Sequence, residues 1–359
     1  MKSDKRVVVA LSGGVDSAVA AGLLLDQGYQ VIGATLHLWS ENDQESQEQI
    51  EERYADARNI CVQLGIEHRL LDRRVQFREI VIAQFLSEYL QGRTPNPCVI
   101  CNREIKWHLL MQLVEELDAD YLATGHYADL RNQDGRVQLT KARHDAKDQS
   151  YMLWNLPATA LSRTLFPLGG LTKEETRQQA ARMKLAVEEK AESQDICFVP
   201  DGDYGRFLKQ AFPIQMEAVQ PGDILDESGN ILGNHRGIPY YTIGQRKGLG
   251  IAFGAPRFVS SIDAKMNTIT ITAGESLFKR KLHAAQVNWL TEVPTQPFTA
   301  SARIRYHDHG ENCQVTPLTE NSMIVEFDKP RRAITPGQSV VIYDHDVVLG
   351  GGLIGESFE

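Results

Sequence analysis

The sequence predicts an α/β fold, with a parallel sheet in its N-terminal part and antiparallel sheet or barrel in its last third. Three observations predict it. Residues 6–11, RVVVAL, are an apolar run of strand length, the pattern of a strand buried on both faces. A Ser-Gly-Gly turn, a helical period and a second strand pattern (residues 30–36, QVIGATL) follow, which makes a βαβ unit. From about residue 210, Pro and Gly become frequent and short alternating runs take over.

Residues 15–27 carry helical periodicity, and Gly28 fits the stop just past the helix end. Residues 47–64 read as a charged helix, 67–71 as a short strand, 78–91 and 105–117 as helices, and 121–124 as a strand. In the last third, ARIRY (302–306) and MIVEF (323–327) are β signals. The changes of texture divide the chain into 1–205, 206–278 and 279–359, with no internal repeat.

An apolar content of 42% and a charged content of 24% are those of an ordinary globular protein. No apolar run reaches the roughly 18 residues of a membrane helix. MKSDKR leads straight into the first strand with no signal-peptide pattern, so a cytoplasmic protein with no membrane partner is expected. The net charge of −9 argues against a general nucleic-acid coat but leaves room for a specific RNA partner wherever Lys and Arg cluster. Five cysteines, an odd number, favour metal or redox chemistry over a disulfide framework.

The loop SGGVDS (12–17) stands where a phosphate-binding loop stands but has no lysine. Gly13 and Gly14 let backbone approach an anion. The following helix offers free N–H groups and a positive dipole end. Asp16 is placed to hold Mg²⁺ and Ser17 to bond a phosphate oxygen; a plain N-cap is the competing reading. The hexapeptide resembles the loop of the ATP-pyrophosphatase (PP-loop) family, which implies cleavage between the α and β phosphates of ATP.

Two further stretches carry chemistry: TPNPCVICN (94–102) and SQDICF (193–198). A C-x-x-C pair is half a zinc site, a redox pair, or two ligands of an iron–sulfur cluster. The absence of a second C-x-x-C argues against a four-thiolate zinc site. Cys61, in a helical pattern, and Cys313, in a β pattern, read as core residues. Cys197 in a polar turn makes sulfur transfer attractive, one thiol carrying a sulfane sulfur and another resolving it. Both thiols are expected in exposed, electropositive surroundings, with Arg103, Lys106 and Lys190 as sources of the field.

Taken in order, VVALSGGVDS (8–17), PNPCVICNREIKW (95–107), ATGHYA (123–128), KDQSYMLW (147–154), SQDICF (193–198), GQRKGLGI (244–251), TPGQSVVIYD (335–344) and LGGGLI (349–354) resemble the tRNA-specific 2-thiouridylase family along nearly the whole chain. The resemblance implies a doubly wound, adenine nucleotide alpha hydrolase-like N-terminal domain, a small central α+β domain and a C-terminal antiparallel β-barrel. It implies ATP and Mg²⁺ as cofactors, and tRNA as partner through its anticodon stem-loop. A sulfur-carrier protein or cysteine desulfurase is the implied donor, and a monomer the implied state.

Carried over residue by residue, Cys101 resembles the nucleophile and Cys197 the persulfide carrier. The nucleotide site would use Ala10, Leu11, Ser12, Gly13, Gly14, Val15, Asp16 and Ser17, with Leu36 and Gly125, at carboxyl ends of parallel strands. Asn96, Pro97 and Cys98 would line the pocket of a flipped base. His126, Lys147, Asp148, Gln149, Arg305, Tyr306 and Gln338 resemble tRNA contacts. Singly, each has a bland reading: a rigid Pro-rich loop, a packed turn histidine, a solvated turn, a strand face. Many members carry Asp where this chain has Cys98. Cys98, Cys101 and Cys197 together are therefore also candidates to hold an iron–sulfur cluster with one open iron. In the two-cysteine version a loop movement is expected to bring Cys197 to Cys101.

Overall fold

The computed structural model describes residues 4–40, 45–185, 196–251 and 254–359; Lys190 and Ser193 to Asp195 lie outside them. The chain begins with β1 (Arg6–Ala10), whose Val7, Val8 and Val9 are fully buried, as the apolar run requires. Parallel pairing joins it to β2 (Gln30–His37) on one side and, through β4, to the rest on the other. With β3 (Glu67–Asp72), β4 (Tyr121–Ala123) and the later short strand β7 (Thr164–Leu165), the order is β3-β2-β1-β4-β7, five parallel strands among the described residues. Chain direction across the sheet reverses between β1 and β4, so the loops after these two strands frame the crevice where such sheets bind ligands.

β5 (Asp129–Gln133) and β6 (Arg136–Thr140) form a hairpin, and β7 (Thr164–Leu165) returns to the parallel sheet. The hairpin leaves the first sheet altogether, pairing through Thr140 with Val347 of the barrel. The helix α1 (Val15–Asp26) is buried nearly all round. Its Ala18, Val19 and Ala20 pack with Ala180 and Leu185.

Three helix expectations change. Residues 47–64 form two helices, Gln47–Arg53 and Ala55–Leu64, broken at Tyr54, whose backbone leaves the helical region. The helix expected at 78–91 starts earlier: Arg74–Phe77, Arg78–Ile82 and Ala83–Leu90 run on, the middle piece with π geometry. The helix expected from 105 starts at Pro97 and runs to Glu116. Proline at the first helical position needs no N–H and has its φ preset, so the Pro-rich stretch starts the helix that carries the C-x-x-C pair.

The central part forms β8 (Gly222–Leu225), β9 (Ile231–His235), β10 (Phe258–Asp263) and β11 (Thr268–Thr272), in the order β10-β11-β8-β9 with β8 and β11 parallel. The last part is a closed six-stranded antiparallel barrel: β12 (Phe278–Trp289), β13 (Phe298–Arg303), β14 (Glu311–Thr319), β15 (Ser322–Arg332), β16 (Ser339–Asp344) and β17 (Val347–Phe358), closed by pairing of β12 with β17. Leu282, Val315, Val325, Phe327, Val340 and Ile342 fill it. The strand pattern read at 302–306 ends at Arg303; Ile304 to Tyr306 turn away, because Asp308 accepts from the Ile304 N–H at 3.0 Å and closes the bend. Cys61 and Cys313 lie in the core, where burial pushes their thiols up to about 11 and about 12. Among the described residues no helix is long and apolar enough to cross a membrane.

Candidate active site

The loop after β1 is pinned at its start. The Leu11 N–H donates to Ala34 O at 2.8 Å, and the Thr35 hydroxyl donates to Leu11 O at 2.8 Å while pairing with His68 Nε2 at 2.8 Å. These contacts fix the loop's start to β2. Gly13 takes φ +80°, a conformation that other residues adopt only at a cost. Gly14 caps α1 with extended backbone and no side-chain hydrogen bond, so no side chain of the cap occupies the first N–H groups of the helix. The Ser17 hydroxyl donates to Gly14 O at 3.1 Å and lies 3.3 Å from that of Ser12. Leu36 is half-buried at the end of β2, and Ala10 and Val15 flank the turn.

Gly125, after β4, completes the crevice. A Cβ there would lie 2.8 Å from Ser17 N and 2.9 Å from the Asp16 carbonyl carbon. Both are backbone atoms of the first turn of α1, which would have to lift. Gly125→Ala is therefore expected to weaken ATP binding at least tenfold by calorimetry; an unchanged affinity would place the nucleotide elsewhere.

The lysine missing from the loop comes from afar. Lys173, 157 residues beyond Asp16, sends Nζ to both Asp16 oxygens at 2.7 and 2.8 Å. It stands at the first position of the helix Lys173–Arg182, which Thr172 and Glu175 start with a capping box. The Tyr127 hydroxyl, 2.9 Å from the same carboxylate, pairs with Thr176 at 3.0 Å. Asp16 thus accepts from a buried lysine and a tyrosine, while 33% of its side chain stays exposed. Lys173 and Tyr127 were missed in the sequence. The capping box marks a helix start, but nothing local names its partner.

The cysteines stand across one helix and one turn. Cys98 and Cys101 sit on the helix from Pro97, whose segment Cys101–Trp107 is π-helical. In an α-helix residues five apart point about 140° apart. The wider i→i+5 turn brings Lys106 back towards the Cys101 face. Lys106 Nζ donates to Asn102 Oδ1 at 3.0 Å, and Asn102 Nδ2 donates to Met152 O at 2.9 Å, so the ammonium is fixed. Cys197 is exposed, while its neighbour Phe198 is fully buried, edge-on to Phe77 and Phe85 at 5.6 and 5.2 Å. That aromatic anchor belongs to the same apolar cluster as Cys101.

Cys197 is consequently on the same side of the site as both other thiols, near enough to raise the pKa of Cys101 and to have its own raised by Cys98. Burial pushes the Cys101 thiol up to about 12, against the pull of Lys106, and Cys197 and Cys98 add to the rise. Cys98 and Cys197 are raised as well, first by the protein atoms around them, and again Lys106 opposes. This corrects the expectation of two exposed thiols in a positive field: Cys101 is buried and neutral at rest. Arg103 does not supply the field, since it bonds Asn155 Oδ1 at 2.7 Å and pairs with Glu104. Iodoacetamide is expected to label Cys197 before Cys101, with the Cys101 rate climbing about tenfold per pH unit from 7 to 10 and falling in Lys106→Gln. A Cys101 rate that levels off near pH 8 in peptide mass spectrometry would contradict this. Among the described residues no group of three or more His, Cys, Asp or Glu side chains is placed to hold a metal ion.

His126 joins the two halves of the site. Its Nδ1 meets Thr124 Oγ1 at 2.8 Å at the end of β4, and burial, with Lys106 second, lowers its pKa to about 3. The imidazole is neutral throughout the physiological range.

The remaining expected RNA contacts divide. Asp148 is buried with Arg303 Nη1 2.8 Å away, closed off from any outside partner. The Gln149 side chain accepts from the Tyr127 N–H at 2.9 Å. Gln338 Nε2 donates to Thr94 O and Pro95 O at 3.1 and 3.0 Å, fastening the Pro-Asn-Pro loop to the barrel. Lys147 is half-buried beside this turn. Arg305 is exposed and bonds Arg332 O at 3.0 Å, and Tyr306 lies 6.4 Å from Tyr151. Asn96 and Pro97 line a narrow cavity with Gln84, Ile100, Gly337 and Leu353.

Residues 5–201 match the family model described as tRNA methyl transferase HUP domain, 206–273 its PRC-barrel domain and 279–354 the aminomethyltransferase beta-barrel domain. The chain is 46% identical to the tRNA-specific 2-thiouridylase MnmA of Halothermothrix orenii over 98% of its own length and 99% of that protein. It is 44% identical to the protein of the same name from Clostridium perfringens, over 98% of each. Among solved structures it resembles a 4-thiouridine synthetase–RNA complex with bound ATP, at 18% identity and a TM-score of 0.37, over 58% of this chain and 50% of that one. The chain belongs to the tRNA-specific 2-thiouridylase family.

Proposed function

We propose that the chain is an ATP-dependent tRNA-uridine 2-sulfurtransferase that converts the wobble uridine, U34, to 2-thiouridine. The observation that carries this reading is the placing of Cys101, on one helix with Cys98, in the same apolar cluster as Phe198, the neighbour of Cys197, while Gly125 packs against the first turn of α1 at the end of the phosphate loop. A small-molecule ligase of the same fold would have no use for those thiols, and a passive RNA-binding protein no use for the loop.

The target base leaves the anticodon stack, at a cost of a few kcal/mol that is smallest in a loop. Its C2 oxygen attacks the α phosphorus of ATP, and pyrophosphate leaves along the backbone of residues 12–17. Lys173, holding Asp16 at the first turn of α1, keeps that turn rigid while charge departs. Mg²⁺ enters with the phosphates, beside Asp16.

Cys197 carries a persulfide loaded by a sulfur-carrier protein or a cysteine desulfurase. The Cys101 thiolate attacks the inner sulfur, a Cys101–Cys197 disulfide forms and hydrosulfide is released. Hydrosulfide adds at C2, AMP leaves with the former C2 oxygen, and 2-thiouridine remains. An external thiol then reduces the disulfide. Loss of the Cys101 proton is the uphill part of this sequence, and Lys106 is the nearby cation that eases it.

The test is 2-thiouridine formation by iron-free protein with unmodified tRNA, Mg-ATP and a persulfide donor, read by nucleoside mass spectrometry. Product supports the two-cysteine relay. Product only after anaerobic cluster reconstitution would replace the relay with an iron–sulfur cluster on Cys98, Cys101 and Cys197.

A further inference from the structure

The segment GQRKGLGI (244–251) has no part in the chemistry so far. Its root is fixed: the Gly244 N–H donates to Val259 O at 2.7 Å and the Val259 N–H to Gln245 O at 3.0 Å. Its apolar feet stand on the cysteine core. Leu249 is buried in the cluster that contains Cys101 and Phe198, and Ile251 packs against that cluster. Thr242, just before the loop, meets Thr94 of the Pro-Asn-Pro loop at 3.4 Å.

The loop borders an open cavity of about 580 Å³, with Arg246 and Arg257 on its walls beside Leu249, Ile251 and Pro256. Gly248 and Gly250 take φ +74°, and Cβ atoms at Gly250 and Gly254 would meet nothing within 4 Å among the described residues, so bare backbone borders the cavity. Among the described residues, no hydrogen bond or ion pair holds the side-chain cation of Arg246, Lys247 or Arg257. Elsewhere in the chain arginines are commonly committed, as Arg74 is to Asp72, Arg103 to Glu104 and Arg206 to Asp201. Residues 244–257 contain no Asp or Glu, in a chain of net charge −9.

Uncommitted cations around a concave wall of bare backbone suit a chain of phosphates. We propose that this cradle binds the phosphodiester backbone of the tRNA beside the target nucleotide, anchoring the strand while its base turns towards the cysteine helix. The assignment rests on the reading of the chain as a tRNA-modifying enzyme. It adds a central-domain contact to those carried over from the family resemblance.

The test is the affinity of the full chain for an unmodified tRNA transcript between 50 and 200 mM KCl. Wild type is compared with Arg246→Gln and Arg257→Gln, singly and together. Each lost phosphate contact in a single strand lowers the slope of log K against log salt by about 0.7. The double variant is expected to lose about 1.4 in slope and at least tenfold in affinity, with ATP affinity unchanged. A double variant with the wild-type slope overturns the cradle and leaves the enzyme reading intact; a wild type without measurable tRNA affinity overturns the enzyme reading itself. Displacement of the tRNA by millimolar inorganic phosphate at constant ionic strength would make this a free-phosphate site and overturn the RNA assignment.

Discussion

Cys197→Ser is expected to abolish 2-thiouridine formation, by at least a thousandfold, while tRNA affinity stays within twofold of wild type. The hydroxyl is close in size to the thiol and the residue is exposed, so neither packing nor fold changes. Phe198, which anchors the turn between Phe77 and Phe85, is untouched. What disappears is the sulfur–sulfur bond: a serine oxygen cannot hold a sulfane sulfur, and Cys101 has nothing to attack. Pyrophosphate release in the presence of tRNA is expected to continue, because adenylation precedes sulfur delivery. The two readouts separate carrier from scaffold. Thiolation that persists in Cys197→Ser would remove Cys197 from the relay, and loss of tRNA binding together with thiolation would make it a structural residue.

Arg303→Met is expected to destabilise the protein by about 3–5 kcal/mol, read from the urea midpoint. The Asp148 carboxylate is fully buried, with Arg303 Nη1 2.8 Å away. It also accepts from the Ala142 and Ser150 N–H groups, both at 3.1 Å, and from the Ser150 hydroxyl at 2.9 Å. Removing the guanidinium leaves a buried negative charge with neutral donors alone. The arginine packs 5.0 Å over the Tyr343 ring, so contact area is lost too. The pair joins the turn after the β5–β6 hairpin to the barrel strand β13, and its loss loosens the seam between them. Asp148→Asn combined with Arg303→Met removes both charges and is expected to recover more than half of the loss. A midpoint for Arg303→Met within 0.5 kcal/mol of wild type would show that the pair contributes nothing net.

Asp148 illustrates what could not be seen in the sequence. In KDQSYMLW it stands between Lys147 and Gln149 and looks like a solvated, RNA-facing turn. Its burial depends on Arg303, 155 residues away. Gln338, expected as a tRNA contact, is similar: its amide nitrogen is spent on the carbonyls of Thr94 and Pro95. Arg103 and Lys106 are three residues apart and both carry a positive charge. The π turn and the Asn102 bond put Lys106 among the thiols, while Asn155 and Glu104 draw Arg103 away.

Local rules fixed much of the rest. The apolar run 6–11, two glycines and a helical period specify strand, phosphate loop and helix with no help from distant residues, because strand burial, positive φ and an uncapped helix start are properties of short segments. The alternating strands of the last third were legible for the same reason. Closure of six of them into a barrel was expected from the family resemblance and not from the strand pattern alone, since β12 must meet β17 across the whole domain. The loop's missing lysine is the sharpest case. Sequence alone determined that the loop carries none, and only tertiary structure decided that Lys173 supplies the cation. Helix propensity and capping act over a few residues, whereas a buried ion pair forms wherever packing brings two desolvated charges together.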